Sequence, residues 1–471
     1  MKKYSALIIF ISCLSFAQNK QVLYGFKDLP QSLMLNPGGK VNNDWYFGVP
    51  LLSHIHANIG SSELTVYDLF ANDNIDFNQK LRQAIYRMQP NDFFTVNQQL
   101  EILSGGFAYG DSYEKNKYIS FGFYQELDFI GYFPKDYAIL AYEGNFNNTS
   151  RLFKANHLNF NAEVISVLHV GFNKKVNKDF TYGFRGKLYS SIANINSTNN
   201  KGGFVTEPGD DNLLRHVFSL DGGVRSSGLA QMYSDDDPST EEEDISSLKK
   251  NILFGGNMGL GLDIGFTYQL NDQWYWDASL IDIGFISHRK DIENYELKGD
   301  YVFEGIDPLF PDNAGRSADE YWTEIEDDFD ELFSIDTTST KYTTMRPIKF
   351  NTSLNYSFGK KQEEDCNCIK EDSGYLNAVG AQLYGIARPK GPQLALTTYY
   401  YRRLFRGLDI KATYTIDSFS FSNIGAGISA NMGGLNIYVM ADNFLNFKNL
   451  YDAQSVSLQL GINYIFNKNE N

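Results

Sequence analysis

The chain has few cysteines, few prolines and no long apolar run. Of its 471 residues, three are cysteine, twelve are proline and six are histidine. Only Cys366 and Cys368 lie beyond the N-terminal segment, and two cysteines cannot form the framework of a disulfide-stabilised domain. The apolar segment from Ala6 to Phe16 is shorter than the roughly 20 residues that a spanning helix needs. The sequence therefore predicts neither a disulfide-rich domain nor a transmembrane helix.

The sequence also lacks the common catalytic and cofactor-binding motifs. It contains no Gly-x-Ser-x-Gly elbow, no His-Glu-x-x-His pair, no phosphate-binding loop and no dinucleotide fingerprint. His54 and His56 would share one face of a strand, where they could bind a metal, but we favour a structural or lumen-lining role. We expect no enzymatic activity, no cofactor and no bound metal.

Charge and the N-terminus define the compartment. Without Lys2 and Lys3 there are 39 Lys and Arg (41 − 2) against 57 Asp and Glu, a net charge near −18, which disfavours nucleic acid as a partner. Lys2, Lys3, the apolar core and a small residue at Ala17 predict a signal peptide at 1–17 and a mature chain from Gln18. A lipidated N-terminus at Cys13 is the alternative that we favour less.

Several long segments alternate apolar and polar residues. From Met258 to Leu270, every second residue is large and apolar, and the residues between are Gly, Asp, Thr or Gln. The same pattern recurs near 158–164, 180–188, 348–358, 408–417 and 455–466. Period two predicts strands with one apolar face. Soluble sandwiches and propellers also alternate, but their strands usually have about 5 to 6 residues, and a membrane-spanning strand needs about 9 to 11.

We therefore predict an all-β fold, a transmembrane antiparallel β-barrel. Counting segments gives about fourteen strands, with about twelve or sixteen as alternatives, and connections that alternate between short periplasmic turns and long extracellular loops. Residues 360–374 are an exception, because they form a long connection at the end where short periplasmic turns are predicted. The predicted parts are a signal peptide (1–17), a periplasmic leader (18–43), a barrel (44–466) and a tail (467–471).

The loops contain features with more than one interpretation. Acidic clusters at 235–244 and 324–331 could bind divalent cations, but runs of like charge are usually solvated. Asp76 to Met88 predicts an amphipathic helix capped by Asp76, over the rim or inside the lumen. Residues 321–322 could belong to a similar helix, and 215–225 to an external hairpin. Cys366 and Cys368 could bond to each other, hold a metal or remain free.

Charged residues on the predicted inward faces are candidates for the lumen. Such residues could line a selective path or form a closed ion-pair network that seals the barrel. The candidates are Glu126, Glu163, Arg185, Lys187 and Asp263.

The segment before the first strand carries a family resemblance. Residues 30–38 read Pro-Gln-Ser-Leu-Met-Leu-Asn-Pro-Gly. This element resembles the opening of a Bacteroidetes outer-membrane barrel family of unknown function (DUF5723-like). It is more distantly similar to PorP/SprF-type proteins of the type IX secretion and gliding apparatus: Leu35, Asn36 and Pro37 match their motif, and Gly38 departs from it. Asn36 to Gly39 is also a turn signal, which would place a leader in the barrel mouth.

A barrel of this width is not filled by its own wall, so its lumen holds water, a plug or a ligand path. The first hypothesis is a plugged or gated channel for a small or hydrophobic solute, since fatty-acid-transporter-like barrels have a similar strand number. The second, implied by the secretion-system resemblance, is a non-conducting scaffold with periplasmic or outer-membrane protein partners. Both place the protein in the cell outer membrane, surrounded by its lipid.

Overall fold

The structure is a computed structural model that describes residues 20–26, 28–111, 114–209, 214–229, 255–303, 323, 336–360, 375–405, 407–417, 419–421 and 423–466. The signal peptide, both acidic clusters, residues 321–322, Cys366, Cys368 and the tail lie outside this part of the chain. Among the described helices, none has the length and apolar character that crossing a membrane requires.

The described chain is mostly β-strand. In chain order the strands are β1 (Trp45–Gly48), β2 (Ile55–Ser61), β3 (Phe93–Asp111), β4 (Glu114–Tyr132), β5 (Leu152–Lys154), β6 (Asn159–Lys175), β7 (Phe180–Pro208), β8 (Leu214–Ser227), β9 (Met258–Gln269), β10 (Trp274–His288), β11 (Ile292–Phe303), β12 (Asp336–Thr338), β13 (Tyr342–Met345), β14 (Lys349–Lys360), β15 (Tyr375–Ile386), β16 (Gln393–Phe405), β17 (Leu408–Ile416), β18 (Asn423–Met432), β19 (Leu435–Asp442) and β20 (Ser455–Phe466).

The described strands close into a barrel of fourteen antiparallel wall strands, which confirms the predicted fold class. β1 and β2 together form the first wall strand, and β13 and β14 together form the eighth. The ring closes where β20 pairs with β1 and β2. β5, β8, β11 and β12 lie outside the ring and pair with the extended part of β7 or with one another.

Alternation along the strands separates an apolar outer face from a polar inner one. In β9, Leu260, Leu262 and Ile264 are exposed outward, whereas Asp263 and Thr267 are buried inside. At the closure of the ring, Trp45 stacks on Phe466 with ring centroids 3.8 Å apart. An apolar band with aromatic residues near its edge is the surface that a barrel presents to lipid.

Connections differ between the two ends of the barrel. We call the end with the short connections, such as those after β6 and β9, the turn end, and the opposite end the loop end. The predicted strand at 45–60 is interrupted at 49–54, where Leu51 has a left-handed φ of 64° and faces outward. Alternation alone could not reveal this interruption, because residues on both sides of it keep their inward or outward positions.

The loop end carries additional structure. β7 has 29 residues and extends beyond the ring, where it pairs with β8 and β8 pairs with β11, which confirms the predicted hairpin near 215–225. The described α-helices are α1 (Val66–Phe70), α2 (Phe77–Arg87) and α3 (Lys135–Glu143). Asp76 caps α2 as predicted. Ile85 of α2 packs with Ile139 of α3 and with Phe153 of β5, a strand outside the ring, so α2 covers the rim and does not enter the lumen.

Candidate functional site: an occupied lumen

The segment before the first strand lies inside the barrel. We call its described residues, 20–26 and 28–44, the leader. Four apolar leader residues are at most 2% exposed and pack against wall side chains of β15, β16 and β19. The leader residues are Val22, Leu23, Phe26 and Leu29, and the wall residues are Ala378, Tyr401, Tyr438 and Met440. Apolar side chains of the leader therefore cover an apolar part of the lumen wall.

Wall side chains also bind the backbone of the leader. Arg185 Nη2 donates to the Leu33 carbonyl at 2.6 Å, and Ser279 Oγ donates to the Leu35 carbonyl at 2.6 Å. Lys411 Nζ donates to the Tyr24 carbonyl at 2.5 Å. Buried carbonyls lose their hydrogen bonds to water. Because the leader forms no β-strand that would pair these carbonyls, the wall donors replace the lost hydrogen bonds.

The turn motif Leu35, Asn36, Pro37 and Gly38 lies against the wall near the turn end. Asn36 Oδ1 accepts from the Gly38 amide at 2.9 Å, which closes the turn predicted from the sequence. Asn173 Nδ2 donates to the carbonyls of Pro37 and Gly39, both at 2.8 Å, and Thr267 Oγ1 donates to that of Gly38 at 2.9 Å.

Two wall glycines allow this close approach. Gly183 of β7 and Gly265 of β9 are opposite each other in register, below the turn. A Cβ on Gly183 would lie 1.9 Å from the Pro37 carbonyl oxygen, and a Cβ on Gly265 would lie 2.1 Å from Asn36 Oδ1. No other residue type fits at either position while the turn is in place.

The tip of the leader reaches the loop half of the lumen. The Val22 amide donates to Asp442 Oδ1 at 3.2 Å, and Lys20 Nζ donates to Gln99 Oε1. Burial lowers the pKa of Lys20 to about 7. A small polar cavity remains above the tip, lined by Lys20, His56, Asn97, Gln98, Gln99, Glu126, Leu127, Asp128, Lys349, Ile386 and Arg388.

All five charged candidates from the sequence point into the lumen, and the structure brings them together. Lys187 Nζ lies 2.8 Å from Asp263 Oδ2, and Arg185 Nη1 lies 3.6 Å from the same oxygen. Glu126 and Glu163 are more distant from Asp263 than these two bases are. Arg346 bridges the two glutamates, and its Nη2 lies 3.0 Å from Glu126 Oε1.

Three residues that the sequence did not single out complete this network. Asp282 accepts from Lys187 at 2.6 Å and from Lys349 at 2.9 Å, and Lys349 also lies 3.2 Å from Glu126. We call the result the ion-pair chain. It alternates acid and base through Glu163, Arg346, Glu126, Lys349, Asp282, Lys187, Asp263 and Arg185. Four acids and four bases give it no net charge.

Two of the three missed residues lie where the strand pattern breaks, whereas Lys349 lies on the polar face of the regular strand predicted near 348–358 and was not singled out. Asp282 has a left-handed φ of 62° at a bulge in β10, between Leu280 and Ile283. Arg346 lies opposite this bulge, between β13 and β14, and its amide donates to the Gly284 carbonyl at 2.9 Å. Bulges re-aim side chains, so period-two counting could not assign these residues to the lumen. The sequence signal that could have indicated an irregular position was the Arg-Pro pair at 346–347, directly before a predicted strand.

His54 and His56 are buried on the inner face, with parallel rings whose centroids are 6.4 Å apart. His54 Nδ1 lies 2.7 Å from the Tyr438 hydroxyl. Within the described ranges, no group of three or more His, Cys, Asp and Glu side chains could hold a metal ion. Both rings lie on the inner face, and His56 borders the small cavity together with Lys20 of the leader.

Sequence comparison assigns the chain to a family. Residues 37–442 match the model of a family of unknown function, DUF5723. The chain belongs to this family. No curated protein matches the DUF5723 chain.

Solved structures with a similar fold are remote in sequence. The toluene transporter TbuX of Ralstonia pickettii has 8% identity and a TM-score of 0.43, with coverage of 97% of this chain and 100% of that chain. A FadL homologue of Pseudomonas aeruginosa has 10% identity and a TM-score of 0.43, with coverage of 96% and 98%. For this DUF5723 protein, function must therefore be inferred from its own lumen.

Proposed function

We propose that the protein is an outer-membrane channel, plugged by its own leader, that opens to pass a small or hydrophobic solute. The observation that carries this proposal is the binding of the leader inside the barrel through backbone carbonyls, apolar side chains and polar side chains such as Tyr24, Asp28 and Gln31, with no strand pairing to the wall in residues 20–26 and 28–44. A segment held in this way can leave without unfolding the wall, because the wall strands keep their own hydrogen bonds. The leader is the gate in this proposal.

The apolar contact of the leader supports the proposed solute class. When Val22, Leu23 and Phe26 leave, the wall surface of Tyr401, Tyr438 and Met440 faces the lumen. An apolar surface opposite a neutral ion-pair chain favours an uncharged or amphipathic solute over a simple ion. Binding sites for such solutes are mostly apolar with a few placed polar groups.

The second candidate is a non-conducting scaffold of an envelope machine of the type IX secretion kind. The fully paired ion-pair chain favours it, because charges that neutralise one another seal a lumen and do not select an ion. In that case the leader is a permanent part of the interior, and the partner-binding surfaces lie elsewhere.

Single-channel conductance in planar bilayers tests the proposal, with the mature chain compared with a variant lacking residues 18–43. We expect the mature chain to be mostly closed and the deletion variant to conduct steadily. Heat-modifiable migration on gels serves as the control that both barrels are folded. Two folded but silent proteins would contradict the channel and favour the scaffold.

A further inference from the structure

One side of the loop end carries a group of exposed apolar side chains. They belong to two connections, β2–β3 and β19–β20, which are neighbours because β20 pairs with β2. We call them the rim patch; each is between 40% and 69% exposed. Its members are Val66, Tyr67, Phe70, Ile75, Phe77, Phe444, Leu445, Phe447, Leu450 and Tyr451. Exposed apolar surface of this extent usually marks an interaction site.

The rim patch is one surface and not two separate loops. At its base the Ser61 amide donates to the Gln454 carbonyl at 2.7 Å, which joins the two connections. Above this bond, α1 packs against the 3-10 turn Leu450–Asp452. Within the β2–β3 connection, the rings of Phe70 and Phe77 are 5.9 Å apart.

Three of the four regular elements that carry the rim patch bury none of their own residues, whereas α2, which begins with Phe77, buries Lys80, Ala84 and Ile85. α1 has five residues, a complete capping box between Thr65 and Asp68, and no buried side chain. The 3-10 turns Phe444–Lys448 and Leu450–Asp452 also bury none. In water, a helix this short is marginal, because most helices in proteins are stabilised by packing of an apolar face. The well-formed cap and the absence of burial indicate that a surface beyond the described residues covers the patch.

Continuity with the outer wall identifies that surface. The strands that carry the rim patch expose Ile59, Val439 and Leu458 outward, at 55%, 51% and 37%. The apolar band thus continues from the wall onto both connections. We propose that the rim patch is a membrane-contact surface, seated at the boundary between acyl chains and headgroups of the outer leaflet. This inference rests on the membrane location in the proposed function, but not on conduction.

The remaining residues of the two connections fit this position. Lys448 is exposed within the patch, where its ammonium can reach lipid phosphates while its stem lies along apolar surface. Phe70 and Tyr451 are each 69% exposed, as expected for aromatic side chains at a headgroup boundary. On α2, Arg82 is 63% exposed and its Nε lies 3.6 Å from Glu143 of α3, so this part of α2 carries charged groups where the rim patch carries apolar ones.

Spin labels in vesicles that contain lipopolysaccharide test the proposal. Single cysteines are introduced by Phe70→Cys and Tyr451→Cys in a mature chain that carries Cys366→Ser and Cys368→Ser. Gln83→Cys, on the exposed face of α2, is the water control, and Ile428→Cys, 53% exposed on the wall, is the lipid control. The measured quantity is the accessibility of each label to oxygen relative to a water-soluble nickel complex.

We expect the two patch labels to give a ratio close to that at position 428 and well above that at position 83. Patch labels that behave like position 83, while position 428 reports lipid, would overturn the inference and leave the barrel in its membrane. A label at 428 that reports water would instead overturn the membrane location. A third outcome is low accessibility to both reagents, together with dipolar broadening that disappears when unlabelled protein is mixed in. This outcome would show that a second copy of the chain, and not lipid, covers the rim patch.

Discussion

Arg346 is one cation that neutralises two carboxylates from different wall strands, Glu126 and Glu163, at a position that is 3% exposed. Replacement by glutamine leaves at least one buried carboxylate without a counter-charge. Loss of one partner of a buried pair costs about 3 to 5 kcal/mol. We expect Arg346→Gln to lower the free energy of unfolding by this amount, measured by urea titration with gel mobility as the readout of folding.

The matched control is Lys115→Gln, which removes the exposed ion pair with Asp44, 2.7 Å across at the turn end. Exposed pairs contribute about 0 to 1 kcal/mol, so we expect little change. The double variant Arg346→Gln with Glu163→Gln should recover part of the loss. Equal destabilisation by Arg346→Gln and Lys115→Gln would contradict the importance of the ion-pair chain.

Lys20 makes insertion of the leader dependent on pH. Burial holds its pKa at about 7, below the ordinary value of 10.5. Between these values, Lys20 binds a proton when the leader is outside the lumen and is neutral when it is inside. Insertion is therefore strengthened as pH rises from 7 toward 10.5 and weakened as pH falls to 7. We expect the open probability in bilayers to fall between pH 7 and pH 9, and Lys20→Met to remove this dependence.

At the residue scale, the sequence identified five of the six charges of the ion-pair chain that lie on regular strands. It passed over Lys349, and it missed Asp282 and Arg346 at irregular positions. Arg185, Lys187 and Asp263 follow the alternation of β7 and β9, so their inward orientation could be predicted. Asp282 could not, because a left-handed residue at a bulge resets the alternation. The partners of each charge were also beyond prediction, since pairing depends on the stagger of strands that are distant in sequence.

At the scale of elements, the contact between the leader turn and β7 offers a variant that should displace the leader, the proposed gate, and leave the wall intact. Gly183→Val places side-chain atoms where the Pro37 carbonyl lies. Overpacking costs about 1 to 3 kcal/mol, which corresponds to about a fivefold to a 150-fold change in leader occupancy. We expect Gly183→Val to increase the open probability in planar bilayers by a factor within this range.

Gly186→Val, three residues further along β7, is the control. Gly186 faces outward, and a Cβ there would have no atom within 4 Å, so we expect no change in gating. If Gly183→Val folds normally and stays closed, the leader turn is not the part of the gate that must move.

The strands themselves were the elements best predicted from the sequence, because lipid outside and polar groups inside impose period two on nearly every wall strand. The helix capped at Asp76 was predicted as well, from local signals alone. The position of the leader inside the barrel was only indicated by its turn motif. Val22, Leu23 and Phe26 form an apolar group that would be unfavourable in a solvated linker, and their burial explains it.

At the scale of the whole molecule, the chain consists of a closed wall and a segment that the wall binds as a ligand. A tethered ligand experiences its site at an effective concentration of about a millimolar when the linker is short and flexible. A free peptide with the sequence of residues 18–43 should therefore block the leader-deleted barrel at added concentrations up to about a millimolar.

The leader passes the turn end on its way to β1, so we expect the peptide to block when it is added on that side and not on the loop side. Conductance of the leader-deleted barrel at increasing peptide concentration measures the block. The matched control peptide carries Gly38→Val, because a Cβ on Gly38 would lie 2.2 Å from the Gly265 carbonyl oxygen. Equal block by both peptides would show that the leader turn is not recognised by the wall. Block from the loop side alone would contradict the direction in which the leader enters, and with it the location of the gate.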